Sequence, residues 1–268
     1  EASEVEKRSL KIELQNMSTM DPHPNIVNLI GAQTQNPNGA FYVVVEYCVN
    51  GDLYNYVKKY RTDLSSTGRK GNGTSIEYFT RLRIAFDVAN GMSYLSTKGF
   101  IHRDLAARNV LLEGDLRAKV SDFGRTRDIG NTYEVFQSVR KNEPIPTRWM
   151  PVETLRYQIF NLKSDVWSFG VLLWEIESGG TRPYNDDTTY RQVVDKVVYQ
   201  GYRLQQPYNC PDVIYQIMQE CWKIDPDERP TFTQIATNLG SLLQAHLPGP
   251  PQYSTFPSSP STVNNTTA

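Results

Sequence analysis

The stretch HRDLAARN at residues 102–109, followed by DFG at residues 122–124, decides how this chain is interpreted. Asp104 can accept the proton of an attacking hydroxyl group, whereas Asn109 and Asp122 offer hard oxygen ligands of the kind that Mg²⁺ prefers. Phosphoryl transfer needs this division of labour, because its loose transition state depends on positioning and charge neutralisation. Either motif alone is most often an ordinary loop, but the two together at this separation predict a phosphoryl-transfer site.

Length and charge narrow the class of protein. With 268 residues the chain is long enough for a substantial core, as one large domain or two small ones. Twenty-eight basic and 29 acidic residues leave a formal net charge of −1, which gives no electrostatic case for binding nucleic acid or a membrane surface. The most apolar stretch, residues 166–176, is shorter than the roughly 20 residues that a membrane-spanning helix needs.

The cysteines indicate the redox setting. Cys48, Cys210 and Cys221 are an odd number at spacings that suit neither a disulfide framework nor a zinc site. They favour a reducing, intracellular environment in which each thiol is a small apolar filler.

Hydrophobic periodicity predicts strands near the start of the chain and helices beyond them. A first helix is expected at 3–20, with Glu13 beside the apolar stripe of Leu10, Leu14 and Met17. The carboxylate of Glu13 either has a cationic partner or lies at the solvent-exposed boundary of that stripe. Asp52 is the expected N-cap of a short helix. Strands are predicted at 26–31 and 41–47, separated by a turn at 36–39, helices at 76–95, 165–176, 190–199, 213–222 and 233–246, and a surface loop at 62–74.

Several segments resemble receptor protein tyrosine kinases, and most closely the fibroblast and vascular endothelial growth factor receptor group. They are PNIVNLIGA (24–32), FYVVVEYCVNGDL (41–53), VANGMSYL (88–95), SDFGRTRDI (121–129), IPTRWMPVETL (145–155), KSDVWSFGVLLWEI (163–176) and ECWKIDPDERPTF (220–232). The resemblance implies an α+β, protein-kinase-like bilobal fold over residues 1–246, with a partial mixed N-terminal lobe and a mainly helical C-terminal lobe. Residues 247–268 are rich in Pro, Ser and Thr and are expected to be a disordered tail.

The resemblance also assigns the catalytic roles. It implies ATP and Mg²⁺ as cofactors, Asp104 as the base, and Asn109 and Asp122 as the metal ligands. Serine/threonine kinases usually carry a lysine two residues after the catalytic aspartate, where this chain has Ala106. Arg108, four residues after Asp104, follows the receptor tyrosine kinase pattern, so the acceptor is predicted to be tyrosine.

The nucleotide site is likewise implied by the resemblance. Glu13 matches the glutamate that holds the ATP-binding lysine, Val45 guards the back of the adenine pocket, and Leu111 closes its floor. Backbone groups of Glu46 and Cys48 are expected to bond the adenine edge. The full set of residues implied to bind the nucleotide is Glu13, Val45, Glu46, Cys48, Asp52, Leu111 and Asp122.

Three further pairings follow from the family pattern and not from spacing. His102 is expected to pack under Phe123. Glu153 is expected to form an ion pair with Arg229, and Asp165 to anchor the loop that carries the base. Tyr133 is the expected autophosphorylation site, with its phosphate bound by nearby arginines such as Arg127 or Arg148.

The chain departs from the family pattern in three places. Residues 1–268 contain neither the glycine-rich phosphate loop nor the ATP-binding lysine, so we expect an N-terminally truncated sequence that is inactive alone. Val152 stands where proline is expected in WMPVE at 149–153. Arg125 follows DFG where relatives have an apolar residue.

Two classes of function are therefore open. The leading hypothesis is a protein tyrosine kinase, the cytoplasmic catalytic part of a plasma-membrane receptor that dimerises, phosphorylates protein tyrosines and is bound by SH2-type partners. The alternative is a pseudokinase scaffold that binds signalling partners without catalysis, for example through Tyr253. A lysine facing Glu13 from upstream would favour catalysis. A non-receptor tyrosine kinase is disfavoured, since many of those enzymes have HRDLRAAN in place of HRDLAARN.

Overall fold

The computed structural model describes residues 4–35, 41–61, 76–129, 136–137, 146–185 and 188–246. The predicted turn at 36–39, the loop at 62–74, Tyr133, and the tail at 247–268 with Tyr253 lie outside the described residues. In the described part, the chain begins with a small mixed region and continues into a larger helical region, as expected for an α+β fold.

The small region consists of one helix and one hairpin. Helix α1 (Glu4–Ser18) packs on strand β1 (Leu29–Gln33), which pairs antiparallel with strand β2 (Tyr42–Val45). The apolar stripe predicted on α1 is present, with Met17 its most buried member. The first strand begins later than predicted, because Ile26 instead forms a parallel bridge with Val120 and so ties this region to the next sheet.

Two small antiparallel sheets bring the sequence motifs together. Strand β3 (Phe100–Ile101) pairs with β6 (Arg127–Asp128), and β4 (Val110–Leu112) pairs with β5 (Ala118–Val120). The HRD loop (residues 102–109) connects β3 to β4, and the DFG turn (residues 122–125) connects β5 to β6. Since both pairs share these connections, the two motifs must lie side by side.

The helical region is built around a buried central helix. The helices are α2 (Leu53–Lys59), α3 (Tyr78–Thr97), α4 (Val152–Tyr157), α5 (Leu162–Glu177), α6 (Tyr190–Val194), α7 (Asp212–Cys221) and α8 (Phe232–His246). Another short antiparallel pair joins β7 (Phe136–Gln137) to β8 (Ile159–Phe160). The predicted helix at 190–199 is divided, because α6 continues into a π-helical turn at Asp195–Tyr199.

Helix α5 is buried on nearly every side, as its apolar sequence predicts. Asn161 caps it by accepting a hydrogen bond from the Ser164 N–H at 2.9 Å, while the Ser164 hydroxyl accepts one from the Asn161 N–H at 3.1 Å. Gly170 allows α7 to approach closely: a Cβ atom there would lie 2.6 Å from Nε1 of Trp222 and 2.8 Å from Cβ of Cys221. Among the described residues, no helix combines the length and the apolar character needed to cross a membrane.

Candidate active site

Helix α5 holds the HRD loop in place. Asp165, buried near the start of α5, accepts hydrogen bonds from the backbone N–H groups of His102 at 2.7 Å and Arg103 at 2.9 Å. Arg103 has a positive φ of 70°, a conformation that is uncommon for a residue with a side chain. The two hydrogen bonds to Asp165 stabilise this bend, so the predicted anchoring of the loop is confirmed.

Asp104 is buried, and both of its carboxylate oxygens face arginines. Oδ1 accepts a hydrogen bond from Nη2 of Arg108, and Oδ2 lies 3.5 Å from Nε of Arg125. Burial raises the pKa of Asp104 by disfavouring its charged form. The charges of Arg108, His102 and Arg125 oppose this rise in the pKa, whereas Asp122 adds to it.

The DFG turn is fixed from two sides. His102 packs against Phe123 edge to face, with ring centroids 5.7 Å apart, which confirms the predicted contact. From α1, Nδ2 of Asn16 donates hydrogen bonds to the carbonyl oxygens of Phe123 at 3.0 Å and Thr126 at 3.1 Å. No sequence signal predicts the role of Asn16, because its partners lie more than a hundred residues away in the chain.

Asp122 and Asn109, the two residues expected to bind Mg²⁺, lie in the DFG turn and at the end of the HRD loop. Asp122 is exposed and has left-handed backbone angles (φ 64°, ψ 75°), while Asn109 is buried and donates from Nδ2 to the carbonyl of Asp104 at 2.7 Å. That bond uses the amide nitrogen, so the Oδ1 atom of Asn109 is the atom that could bind a cation. Mg²⁺ is commonly bound by one or two carboxylates together with substrate phosphates and water. In the part of the chain that the structure describes, there is no cluster of three or more His, Cys, Asp or Glu suited to a metal.

Glu13 reaches the DFG turn from α1. Helix α1 packs on this turn, and Glu13 is half-buried. Burial raises the pKa of Glu13, the negative charge of Asp122 raises it further, and the backbone N–H of Phe123 lowers it. A half-buried carboxylate beside another carboxylate is a strong local acceptor for a cation.

The hinge, residues 46–48 between β2 and α2, carries a network of polar side chains. Oε1 of Glu46 accepts from the Asn28 N–H at 2.7 Å, from Nδ2 of Asn28 at 3.1 Å and from Nζ of Lys119 at 2.7 Å. Lys119, on β5, is 4% exposed and also lies 3.7 Å from Glu113. The network joins the hinge to β1 and β5. The feature of the sequence that could have indicated this network is Lys119, a lysine within the short buried strand before the DFG motif.

The residues implied for the nucleotide surround this hinge. Val45 ends β2 and is 37% exposed, Cys48 is buried, and Leu111 lies on β4 and is partly buried. Asp52 caps α2 as predicted, with Oδ1 accepting from the Asn55 N–H at 2.9 Å, and it forms an isolated bridge with Leu111. The bridge places Asp52 beside Leu111, so the segment that follows β2 lies along β4.

A cavity of about 540 Å³ lies beside Asp104. It is lined by Tyr54, Asp104, Arg108, Arg125, Thr147 and Trp149, among others. The guanidinium of Arg108 stacks 4.5 Å from the ring centroid of Trp149. A larger cavity of about 730 Å³ between α2, α5 and residues 202–209 contains none of the predicted site residues, so its size does not make it the active site.

Glu175 of α5 joins the two walls of the smaller cavity. Its Oε2 atom accepts hydrogen bonds from the Ala107 N–H and from Nε1 of Trp149, each at 2.9 Å. Burial raises the pKa of this carboxyl to about 7, although both hydrogen bonds and Arg108 act in the opposite direction. The apolar sequence of α5 predicts burial but not this positioning role.

One predicted role is wrong. Arg148 is buried, and its guanidinium donates to the carbonyl oxygens of Pro183 at 2.6 Å, Asn185 at 2.7 Å and Thr188 at 2.6 Å. These bonds occupy the group that a phosphate on Tyr133 would need. Arg127 is half-buried, with Nη1 donating to Thr126 O at 2.9 Å, and stays a candidate for that phosphate.

The predicted ion pair between Glu153 and Arg229 is confirmed. Nη1 and Nη2 of Arg229 donate to the two carboxylate oxygens of Glu153 at 2.7 and 2.9 Å. Three backbone carbonyls accept the remaining donors of the buried guanidinium.

Comparisons with known proteins agree with this geometry. The sequence profile described as "Protein tyrosine and serine/threonine kinase" matches residues 1–239. Over 246 residues, 91% of this chain, the sequence is 40% identical to the Angiopoietin-1 receptor of Danio rerio and covers 21% of it. Over 247 residues, 92% of this chain, it is 40% identical to the Tyrosine kinase receptor Cad96Ca of Drosophila melanogaster and covers 31% of that protein. The chain thus spans less than a third of the length of either relative.

Proposed function

Because this chain belongs to the protein tyrosine and serine/threonine kinase family, we propose that residues 1–246 form the catalytic domain of a receptor-type protein tyrosine kinase. The observation that carries the proposal is the pairing of Arg108 with Asp104 while the same guanidinium stacks on Trp149. This arrangement puts a carboxylate and a flat aromatic surface in one cavity, which suits a phenol as the acceptor. The names of both relatives, each a receptor, support the same function over the scaffold alternative.

The proposed reaction transfers the γ-phosphoryl group of ATP to a tyrosine hydroxyl. The acceptor oxygen forms a bond to the γ-phosphorus, the bond from that phosphorus to the β,γ-bridging oxygen breaks, and ADP leaves. The proton of the hydroxyl passes to the carboxylate of Asp104. Arg108 holds that carboxylate in place, and Asp165 and Glu175 hold the loop that carries it. Their contribution is positioning, on which this reaction mainly depends.

Tyrosine specificity is tested with peptides that differ in one residue. The probe is RDIGNTYEVFQSV, which reproduces residues 127–139, and a second peptide with serine at the acceptor position. A serine hydroxyl stands closer to its own backbone than the tyrosine hydroxyl and falls short of Asp104. The full-length protein should phosphorylate the tyrosine peptide and leave the serine peptide almost unmodified, as measured by radiolabel transfer. Comparable turnover of both peptides would contradict the proposal.

Nucleotide binding is assigned to the cleft between the two regions. Val45 and Leu111 would contact the adenine ring, backbone groups of Glu46 and Cys48 would bond its edge, and Asp52 would line the outer rim. Glu13 would hold the lysine that contacts the α- and β-phosphates. The acidic pair of Glu13 and Asp122 supports this assignment, because a cation placed between them would relieve their repulsion.

Mg²⁺ is assigned to Asn109 and Asp122. The ion would neutralise charge on the phosphates when bound, and these two side chains would hold it. Asp122→Asn should weaken Mg²⁺-dependent nucleotide binding by about tenfold or more while leaving metal-free binding unchanged, since only the anionic ligand is lost. Calorimetric titration of the full-length protein with ATP, with and without Mg²⁺, measures this. An unchanged Mg²⁺ dependence would refute the ligand assignment.

The names of the relatives support a proposal for the wider setting of the domain. We place the domain on the cytoplasmic side of a plasma-membrane receptor that phosphorylates protein tyrosines, dimerises, and recruits SH2-type partners through phosphotyrosine. Blue native electrophoresis and cell-surface labelling of the full-length protein test the dimer and the location. Absence of the protein from the surface fraction would favour a non-receptor kinase.

A further inference from the structure

We propose that Arg125 shields the carboxylate oxygen of Asp104 that the acceptor hydroxyl needs, so that every tyrosine substrate must displace this arginine before it can react. The inference rests on the proposed role of Asp104 as the base.

Both carboxylate oxygens of Asp104 face an arginine. Arg108 bonds Oδ1 of Asp104, and Arg125 approaches Oδ2 from the DFG turn, with Nε 3.5 Å away. The side chain of Asp104 is only 10% exposed, so few directions of approach remain. An entering hydroxyl can donate its proton to the carboxylate only at an oxygen with a free direction of approach.

Arg108 and Arg125 are held differently. Arg108 stacks on Trp149 as well as bonding Asp104, and Trp149 is itself fixed by Glu175. Arg125 contacts Asp104 at a distance beyond a normal hydrogen bond. Both arginines line the same cavity, and their exposed fractions are similar (29% for Arg125 and 38% for Arg108), so the difference between them lies in their contacts. Of the two guanidinium groups, that of Arg125 is therefore the one that a substrate can move.

Displacing Arg125 from Asp104 costs little free energy. A partly exposed ion pair contributes about 0.2–1 kcal/mol, which corresponds to a factor of about 1.4 to 5 in an equilibrium constant. Displacement therefore weakens substrate binding without preventing it. The penalty applies only to substrates whose hydroxyl competes for Oδ2, which makes it separable from any general effect of the charge.

The experiment uses this hydroxyl dependence. The affinities of RDIGNTYEVFQSV and of its counterpart with phenylalanine at the acceptor position are measured by calorimetry in the presence of ADP, for full-length wild type and Arg125→Leu. We expect the tyrosine peptide to bind Arg125→Leu about two- to fivefold more tightly, and the phenylalanine peptide to bind both proteins equally. In turnover assays the peptide KM should fall by the same factor while kcat changes less than about twofold.

Matched variants separate the contact from the charge and from the fold. Arg125→Lys keeps a cation at the site and should resemble wild type, whereas Arg83→Leu removes an arginine that pairs with Asp115 on the surface and should change neither peptide affinity. Thermal unfolding establishes that each variant is folded. Equal tightening of both peptides, or no tightening of either, would overturn the proposal, as would a fall in kcat that shows Arg125 acting in the transition state. The binding measurement needs no turnover, so it gives an answer even if the proposed kinase activity is absent.

Discussion

At the scale of single residues, the site depends on how Asp104 is surrounded. Burial favours the protonated form of a carboxyl group, and a protonated carboxyl cannot act as a base. A buried carboxylate that stays charged without a partner destabilises the folded protein. Arg108 opposes the rise that burial causes in the pKa of Asp104, while Asn109 fixes the backbone carbonyl of the same residue. The surroundings of Asp104 are therefore set largely by contacts within one turn of the chain.

Replacing the base tests this arrangement directly. Asp104→Asn keeps the size of the side chain and an oxygen for Arg108 but cannot accept a proton from the acceptor hydroxyl. The rate of peptide phosphorylation by the full-length protein should fall by about 10²–10⁴. Nucleotide affinity should be largely retained, because Asp104 is not among the assigned nucleotide ligands.

The control for this variant is Asp115→Asn, which removes an exposed carboxylate that pairs with Arg83 and Arg117 away from the cavity. It should leave the rate within about twofold of wild type, since surface pairs contribute little. Full activity in Asp104→Asn would show that another group accepts the proton.

At the scale of elements, helix α5 acts as the frame on which the site is assembled. Asp165 near its start holds the HRD loop, and Glu175 near its end holds Ala107 and Trp149. A helix is a rigid support, so these two carboxylates fix the distance between the loop and the acceptor side of the cavity. The long apolar sequence between them secures α5 in the core.

Glu175 should give the fold a measurable dependence on pH. Its pKa is about 7 in the folded protein and 4.5 in the unfolded chain, so the folded state binds the extra proton between these values. The associated stability is fully present below pH 4.5 and is lost as pH rises through about 7, which amounts to about 3 kcal/mol at most.

Glu175→Gln should remove this contribution. The free energy of unfolding, measured with denaturant from pH 5 to pH 8, should fall less steeply with pH in the variant than in wild type. Glu220→Gln, at an exposed ion pair with Lys223, should leave the wild-type slope unchanged. Identical slopes for Glu175→Gln and wild type would mean that Glu175 is already charged at pH 5.

The ion pair of Glu153 and Arg229 joins helix α4 to the turn before α8. The guanidinium side chain of Arg229 is fully buried, so removing its partner leaves an uncompensated charge inside the protein. Glu153→Ala should lower the free energy of unfolding by about 3 kcal/mol, the low end of the usual range, because carbonyls of Lys163, Lys223 and Ile224 still accept from Arg229.

Denaturant unfolding measures the loss of unfolding free energy. The dependence of that free energy on denaturant concentration should be the same in the variant and in wild type. Glu220→Ala, which breaks the exposed pair with Lys223, serves as the control and should change the unfolding free energy by less than about 1 kcal/mol. Equal effects of the two substitutions would show that burial of Arg229 is not the deciding factor.

At the scale of the whole molecule, we predict that Tyr133 is phosphorylated by the protein itself and that this raises its activity. A phosphate there adds a charge close to −2 and needs a cation. Since Arg148 is occupied by three carbonyls, Arg127 is the remaining partner that we name. Tyr133→Phe in the full-length protein should lower the rate after preincubation with ATP and leave the rate before preincubation unchanged.

Mass spectrometry of the preincubated protein identifies the modified residue, and Tyr157→Phe, at the exposed tyrosine that ends α4, is the matched control. Arg127→Gln should reproduce the effect of Tyr133→Phe, whereas an unmodified Tyr133 in an active preparation would refute the prediction.

Local sequence was sufficient to predict most helices and to name the candidate reacting groups. The HRD and DFG motifs predict which atoms would accept a proton or bind a metal, and the periodicity of α1, α3, α5 and α8 reveals which residues are buried, because both signals lie within a few turns of chain. The N-cap role of Asp52 is local in the same way. The anchoring by Asp165 and the Glu153–Arg229 pair required the family resemblance.

Only the tertiary structure decided which distant groups meet. The bonds from Asn16 to the DFG turn, from Lys119 to the hinge, from Glu175 to Trp149 and from Arg148 to the carbonyls that occupy it join residues far apart in the sequence, as does the approach of Arg125 to Asp104. A polar residue in a sequence reports that it needs a partner but not which one. The partner is chosen by the packing of whole elements, since a buried charge or amide must be satisfied by whatever group the fold places beside it.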